Sequence, residues 1–268
     1  MGNLLRSDYT IKMKDMKNLL ITGASGGIGL ETAKLLAEKG YTLTLVARSG
    51  DKLEKIKDSL PGNNHSVFVA DLSIANDVNK LATHIQDKKY DILINNAGSG
   101  LYGKFVDLPL DEQISGMHLN MDAVVMLSYA FLKNAKRGDA LVNIASLLGH
   151  SSFPGASVYA STKSFVANFS ESLWYEFKSK GIFVLGFNPG AAKSEFHSRA
   201  GKQTNVYPEF ILSSTQDVAK ELVAALESRK KPRAVQGWKN RFMLFGFKFI
   251  SRKMAVNIMG KMSPGMSN

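Results

Sequence analysis

Short, mostly apolar runs punctuate the chain at residues 18–22, 42–47, 66–70, 92–95, 140–145 and 182–187. Each is mostly apolar along its length rather than alternating throughout, which predicts strands covered on both faces. Between them, apolar residues recur at three- and four-residue spacing, which predicts helices over 28–39, 53–59, 78–86, 111–132 and 158–179. Buried strand and amphipathic helix in near-strict alternation predict an α/β fold built on a doubly wound parallel sheet. Ligands of such a sheet bind beyond the carboxyl ends of its strands, so functional residues should follow the strands. The chain shows neither a Pro- or Gly-rich linker nor an internal repeat, which predicts one domain over 17–237, an N-terminal extension over 1–16 and a C-terminal extension over 238–268.

Composition narrows the classes. A chain of 268 residues with 44% apolar and 21% charged content suits a soluble globular protein with a sizeable core. The apolar run at 123–132 is too short to span a bilayer, and the uncharged stretch at 140–162 is rich in Ser, Gly, Asn and Pro. The first 15 residues mix charges without a secretory pattern, and Arg6 stands where a myristoylation signal needs Ser or Thr. With no cysteine the chain has no disulfide, thiolate nucleophile or zinc-cysteine site, so a cytoplasmic protein is expected. His65, His84, His118, His150 and His197 show no ligand spacing, and no metal site is predicted. His150 and His197 fall near the expected substrate mouth, with no catalytic role assigned.

The net charge of +11 is uneven. Ten of the 34 Lys and Arg lie between Ser228 and Asn268, where there is no Asp or Glu, so the body before them is nearly neutral. Nucleic-acid binding by the whole domain is therefore poorly supported, and the tail reads as a basic element of its own.

Candidate chemistry begins after the first strand. Thr22-Gly23-Ala24-Ser25-Gly26-Gly27-Ile28-Gly29 runs straight into a helix, offering a tight glycine turn and unpaired helix-start amides that attract a pyrophosphate. Gly23, Ser25, Gly27, Ile28 and Gly29 form this candidate cradle; its G-x-x-x-G-x-G spacing departs from the generic G-x-G-x-x-G, and a plain flexible turn is the alternative. At the end of the second strand, Ala47-Arg48-Ser49 has no carboxylate before Asp51. A guanidinium there suits a 2′-phosphate, so Arg48 favours NADP as cofactor, the alternative being a solvated arginine.

Tyr159 and Lys163 stand four apart, on one face of a helix, where an ammonium beside the phenol favours phenolate and lowers the tyrosine's pKa. Such pairs are common by chance. Ser146 adds weight, because it follows the strand at 140–145 on the ligand-binding edge, where a hydroxyl can hold a carbonyl.

Taken together, these motifs resemble the short-chain dehydrogenase/reductase family over roughly 17–236. The shared features, in order, are the glycine loop, Asp71-Leu72, Asn95-Asn96-Ala97-Gly98, Asn120, Ser146, the Tyr159/Lys163 pair and Pro189-Gly190. The resemblance implies a Rossmann-like fold and an NADP-dependent oxidoreductase. It further implies that Asp71 and Leu72 receive the adenine, that Asn95 supports the adenosine side and the central sheet, and that Ala97 and Gly98 lie along the cofactor. Pro189, Gly190 and Ser194 would meet the nicotinamide carboxamide, although the family more often has Thr where Ser194 stands. Asn120 would hold a water relaying protons to Lys163, with simple backbone bridging as its plain alternative. Ser146 would polarise the carbonyl, Tyr159 would be the general acid/base, and Lys163 would also bond the nicotinamide ribose. Homodimers or homotetramers are implied as well.

Leu101, Tyr102, Leu147, Leu148, Phe153, Phe196, Val206, Tyr207 and Phe210 fall in the segments that carry specificity in the family, and imply a hydrophobic ketone or secondary alcohol as substrate. In the tail, Arg241, Lys248 and Arg252 share one stripe if the segment is a single helix, leaving apolar groups around the rest. That surface needs a cover: the chain's own domain, a second subunit, an anionic membrane surface or an acidic acyl carrier. Two alternatives stand beside the carbonyl reductase, namely a 3-oxoacyl-thioester reductase and a non-catalytic dinucleotide-binding sensor or scaffold.

Overall fold

A computed structural model describes residues 18–193, 212–263 and 266. The strands among them are β1 (Asn18–Thr22), β2 (Thr42–Ala47), β3 (Ser66–Val69), β4 (Ile92–Asn95), β5 (Ala140–Ile144), β6 (Phe183–Asn188), the two-residue β7 (Ala192–Lys193) and β8 (Ser213–Ser214), and β9 (Arg233–Val235). Seven of them form one parallel sheet in the order β3-β2-β1-β4-β5-β6-β9, while β7 and β8 pair separately. The α-helices are α1 (Gly27–Glu38), α2 (Gly50–Ser59), α3 (Ala75–Asp87), α4 (Leu110–Met117), α5 (Ala123–Asn134), α6 (Ser157–Phe177), α7 (Thr215–Ser228), α8 (Trp238–Gly246) and α9 (Arg252–Met262).

Strand side chains divide between the two faces with period two, as extended backbone requires. Leu19, Ile21, Leu43, Leu45 and Phe183 face a core closed by α1 and α7, while Leu20, Val46, Leu93 and Val184 face one closed by α3 and α5. Both faces of the five central strands are dry, which is why those strands read as largely apolar runs. The chain winds outward from β1 to β3 and then returns to β4 on the other side of β1. Loops leaving β1 and β4 therefore diverge and open a crevice at this switch point.

Strand edges match the sequence expectation within one residue, but three features differ. Neither α7 nor β9 was expected, although α7 carries a legible signal: Val218, Ala219, Leu222, Val223 and Leu226 form one buried face, and the Ser214 hydroxyl accepts the Asp217 amide at 3.0 Å as its cap. The single helix expected over 111–132 is interrupted by a π-helical turn, His118–Asp122, that places Asn120 inward. An inserted residue of this kind frequently marks a functional site.

The tail is the third. It is two helices, broken where the Ser251 hydroxyl accepts the Met254 amide at 3.2 Å to start α9, so the single stripe of Arg241, Lys248 and Arg252 does not form. Nor is the tail a separate body. Met259 packs with Tyr102, Phe153, Ala156 and Ala160, and Phe247 joins the same cluster.

Candidate active site

The switch point opens into a cleft of about 1420 Å³, running from the glycine loop past the ends of β2, β3, β4 and β5 to the tail helices. Its first half is built to receive an anion. Gly23 and Gly27 hold φ of +68° and +57°, a left-handed conformation that costs glycine little. A Cβ on Gly23 would come within 2.8 Å of Asn96 Nδ2, and one on Gly29 would strike the Gly23 carbonyl oxygen and the same Asn96 amide. α1 begins with neither a capping side chain nor an acidic residue in its first turn, so its end amides face the cleft unanswered by protein.

The loop's position is set from β4. Asn96 Nδ2 donates to the Thr22 carbonyl at 2.9 Å, and the Asn96 and Ala97 amides donate to Thr22 Oγ1 at 2.9 and 3.0 Å. Thr22 and Asn96 thus lace the two diverging loops together. Both stand within the motifs singled out in the sequence, yet their part was missed, because nothing along the chain shows a bond spanning 74 residues.

At the adenosine end, Arg48 stands 69% exposed on the rim, 3.7 Å from Asp71 Oδ2. Asp71 Oδ1 accepts the Ser73 amide at 3.0 Å and the Ser73 hydroxyl at 2.6 Å. Burial alone would push the Asp71 carboxyl up, but the Ser73 bonds and the Arg48 charge outweigh it and leave it below its ordinary value. Leu72, Ala97 and Gly98 line the same wall.

Past the sheet centre, Ser146, Tyr159 and Lys163 face one space. Ser146 Oγ accepts the Leu148 amide at 3.2 Å, an arrangement that fixes the oxygen and leaves its proton to donate into the cleft. Tyr159 and Lys163 share a face of α6, the ammonium 6.0 Å from the phenol ring centroid. Lys163 is buried, donates to the Ile144 carbonyl at 2.9 Å, and is pulled down to about 8 by loss of water around the charge. The Tyr159 ring lies tilted against Tyr102, with centroids 6.3 Å apart.

Three expected residues stand behind the cleft wall. Gly29 is where α1 and the loop meet. Asn95 is buried, its amide donating to Asn143 Oδ1 at 2.9 Å and Ser128 Oγ at 3.2 Å, so it ties β4 to β5 and α5 rather than reaching the cleft. Asn120 has its side chain fully engaged: Oδ1 accepts the Ser99 amide at 3.0 Å, while Nδ2 donates to the Ser99 carbonyl at 2.8 Å and to Thr162 Oγ1 at 3.2 Å. It borders a small cavity of about 20 Å³ that Tyr159 also lines.

The far half of the cleft carries an apolar wall, with polar residues such as Gln236, Lys239 and Asn240 also lining it. Leu101, Tyr102, Leu147, Leu148 and Phe153 line it as expected, and the tail adds Trp238, Met243, Met259 and Met262, which sequence reasoning did not place there. Pro189 and Gly190 line it too, and Gly190 is latched to the start of the tail: its amide donates to Gln236 Oε1 at 3.4 Å, and a Cβ at this position would collide with Asn240. Ser194, Phe196, His197, Val206, Tyr207 and Phe210 lie outside the described residues. His150 does not line the cleft, and its Nε2 meets Asn188 Oδ1 at 3.1 Å.

A phosphate cradle at the switch point of a parallel sheet, with a Ser, Tyr and Lys beyond it, defines the class of dinucleotide-binding oxidoreductases. The particular family follows from comparison. The short chain dehydrogenase family profile matches residues 17–205, and the chain belongs to that family. An NADP-dependent 3-hydroxy acid dehydrogenase of Schizosaccharomyces pombe is 33% identical over 233 residues, covering 81% of this chain and 89% of that protein. Among solved structures, a short-chain dehydrogenase from Sphingobium yanoikuyae in complex with NADPH superposes with a TM-score of 0.78 at 28% identity, covering 87% of this chain and 93% of that one. The bulky-bulky ketone specific alcohol dehydrogenase from Comamonas testosteroni superposes at 0.71 with 26% identity, over 87% and 92% of the two chains.

Proposed function

We propose that this protein is an NADP-dependent reductase of hydrophobic ketones, or the corresponding secondary-alcohol dehydrogenase, with Tyr159 as its general acid and base. The observation that carries the reading is that Ser146, Tyr159 and a buried Lys163 face one space between a phosphate cradle and an apolar wall. The cradle fits a dinucleotide: glycine at 23 and 29 lets the loop pack directly against Asn96 and the start of α1, which offers amides with no acid to repel a pyrophosphate. Arg48, exposed on the rim beside Asp71, carries a guanidinium suited to a 2′-phosphate, and relatives named for NADP and NADPH support that reading.

When bound, the nicotinamide supplies or accepts the hydride. The chain's own residues manage charge and protons. Hydride addition turns a carbonyl oxygen into an alkoxide, which needs donors in place before the charge develops. The Ser146 hydroxyl donates to that oxygen and Tyr159 hands it a proton. Lys163 keeps an ammonium beside the resulting phenolate, and its anchorage on Ile144 holds it there. The cavity beside Asn120 and Tyr159 is large enough for one water, which would reconnect the site to solvent protons.

The test is cofactor oxidation followed against a panel of aromatic, steroidal and long-chain ketones, small sugars and a 3-oxoacyl thioester. Tyr159→Phe should lower kcat about 10²- to 10⁴-fold while leaving NADPH affinity within about twofold. Preferential turnover of the sugars would overturn the apolar-substrate reading, and preference for the thioester would select the acyl-thioester alternative. Turnover unaffected by Tyr159→Phe would remove the mechanism.

A further inference from the structure

We propose that the C-terminal helices α8 and α9 rest on an anionic lipid surface, and that apolar substrate enters the cleft directly from it. The second clause rests on the reading given under Proposed function; the first does not. Trp238, Phe242, Phe245 and Phe249 recur at steps of four, three and four residues, which sets them along one side of α8 and the 3₁₀ turn Phe247–Phe249 that extends it. That side faces water: the four are 68%, 73%, 56% and 72% exposed. The inward side holds Met243 at the cleft and Phe247 in the cluster around Met259. The fold therefore uses one face of this segment and leaves an aromatic face outside.

Charge says what can cover it. Lys248, Arg252 and Lys253 are exposed in the same stretch of chain as the aromatics, and no Asp or Glu occurs from Ser228 to the end of the chain. A second copy of this chain across a two-fold axis would set this basic patch against itself, with no carboxylate in the segment to relieve it. An acidic protein would answer the charges, but would need an apolar patch beside its carboxylates to cover the aromatic stripe as well. A bilayer surface of anionic headgroups over acyl chains answers both at once, bases to phosphates and aromatics to the interface. The helices are 9 and 11 residues long, and no described helix is long and apolar enough to cross a membrane, so the segment would lie on the surface.

The stripe is also continuous with the cleft. Trp238 and Met262 line the cleft and are exposed at its rim, the far end of the wall that holds Tyr102 and Met259. A ketone dissolved at the interface would meet this opening without passing through water.

The experiment is co-sedimentation of the full chain with vesicles of phosphatidylcholine alone or doped with phosphatidylglycerol, without cofactor. Binding to the doped vesicles only, weakened by salt, is expected. Triple variants Phe242→Ser/Phe245→Ser/Phe249→Ser and Lys248→Glu/Arg252→Glu/Lys253→Glu should each reduce it at least tenfold. None of the six lines the cleft, so turnover of a water-soluble ketone should be unchanged in both, while turnover of a ketone carried in the vesicles should fall about tenfold. No sedimentation of the wild type, or sedimentation indifferent to both variants, overturns the proposal. So does self-association abolished by the serine variant, or capture of an acidic acyl carrier protein where vesicles fail. Vesicle binding with no carbonyl turnover at all would overturn the reductase reading and the entry route while leaving the lipid contact standing.

Discussion

The two halves of the cleft are built in opposite ways. The cofactor half comes from short segments that each immediately follow a strand: the glycine loop after β1, Arg48 after β2, Asp71 after β3 and Ala97-Gly98 after β4. Strand register aligns them, so a correct sheet is enough to assemble the cradle. The substrate half draws on Tyr102, Phe153 and Met259, which are far apart in the chain and meet only because the tail folds back over the domain. One half is a property of the sheet; the other is a property of how loops and a terminal segment pack.

If that division is right, damage to one half should leave the other readable. The largest effect is expected from Gly29→Ala, whose methyl would strike the Gly23 carbonyl and the Asn96 amide together. Fluorescence titration should show NADPH affinity falling more than about 100-fold, since the loop and the Asn96 bridge must both move. Retention of wild-type affinity would mean the cradle is not what it looks like.

Lys163 sits at the seam between the halves, and burial takes it from its ordinary 10.5 to about 8. Because its folded pKa lies below the unfolded one, the unfolded chain holds more protons between those values, and stability rises with pH across that window. Below about pH 8 both states are protonated and the group adds no slope. Urea unfolding of wild type and Lys163→Met should therefore diverge as pH climbs from about 8 to about 10, by up to about 3 kcal/mol in the full window. Parallel curves for the two proteins would show that the ammonium is better hydrated than its burial indicates.

Arg48→Asp should weaken NADPH use about 10- to 100-fold and improve NADH, as expected for loss of a charge-assisted bond and gain of a ribose acceptor. Steady-state kinetics with each cofactor check it, and KM for the ketone should not move. The smallest effect is assigned to Met259→Ala, which opens the apolar wall from the tail side. A rise of about five- to tenfold in KM for bulky ketones is expected, with NADPH affinity unchanged. A matching loss of NADPH affinity would show that the tail supports both halves and that the division drawn here is wrong.

Most of the sheet could be read along the chain because burial on both faces leaves continuous apolar runs, a signal that survives without knowing the partners. The helix α7 was equally legible, through its five buried positions and the Ser214 cap, and was overlooked. The strand β9 was not, since Arg233, Ala234 and Val235 are only half-buried at the sheet edge. The π turn at Asn120 left no mark either, because one inserted residue shifts the apolar period by too little to separate from an ordinary amphipathic helix.

By itself the sequence determined the alternation of strand and helix and the placement of the glycine loop, Ser146, Tyr159 and Lys163 along one cleft, because each depends on residues close together or on strand ends that a parallel sheet must align. Only the tertiary structure decided that Thr22 and Asn96 brace the cradle, that Asn95 and Asn120 stand behind the wall, and that the basic tail closes the substrate half. Those are contacts between segments dozens of residues apart, chosen by which surfaces exclude water best once the sheet exists, and local pattern carries no record of that choice.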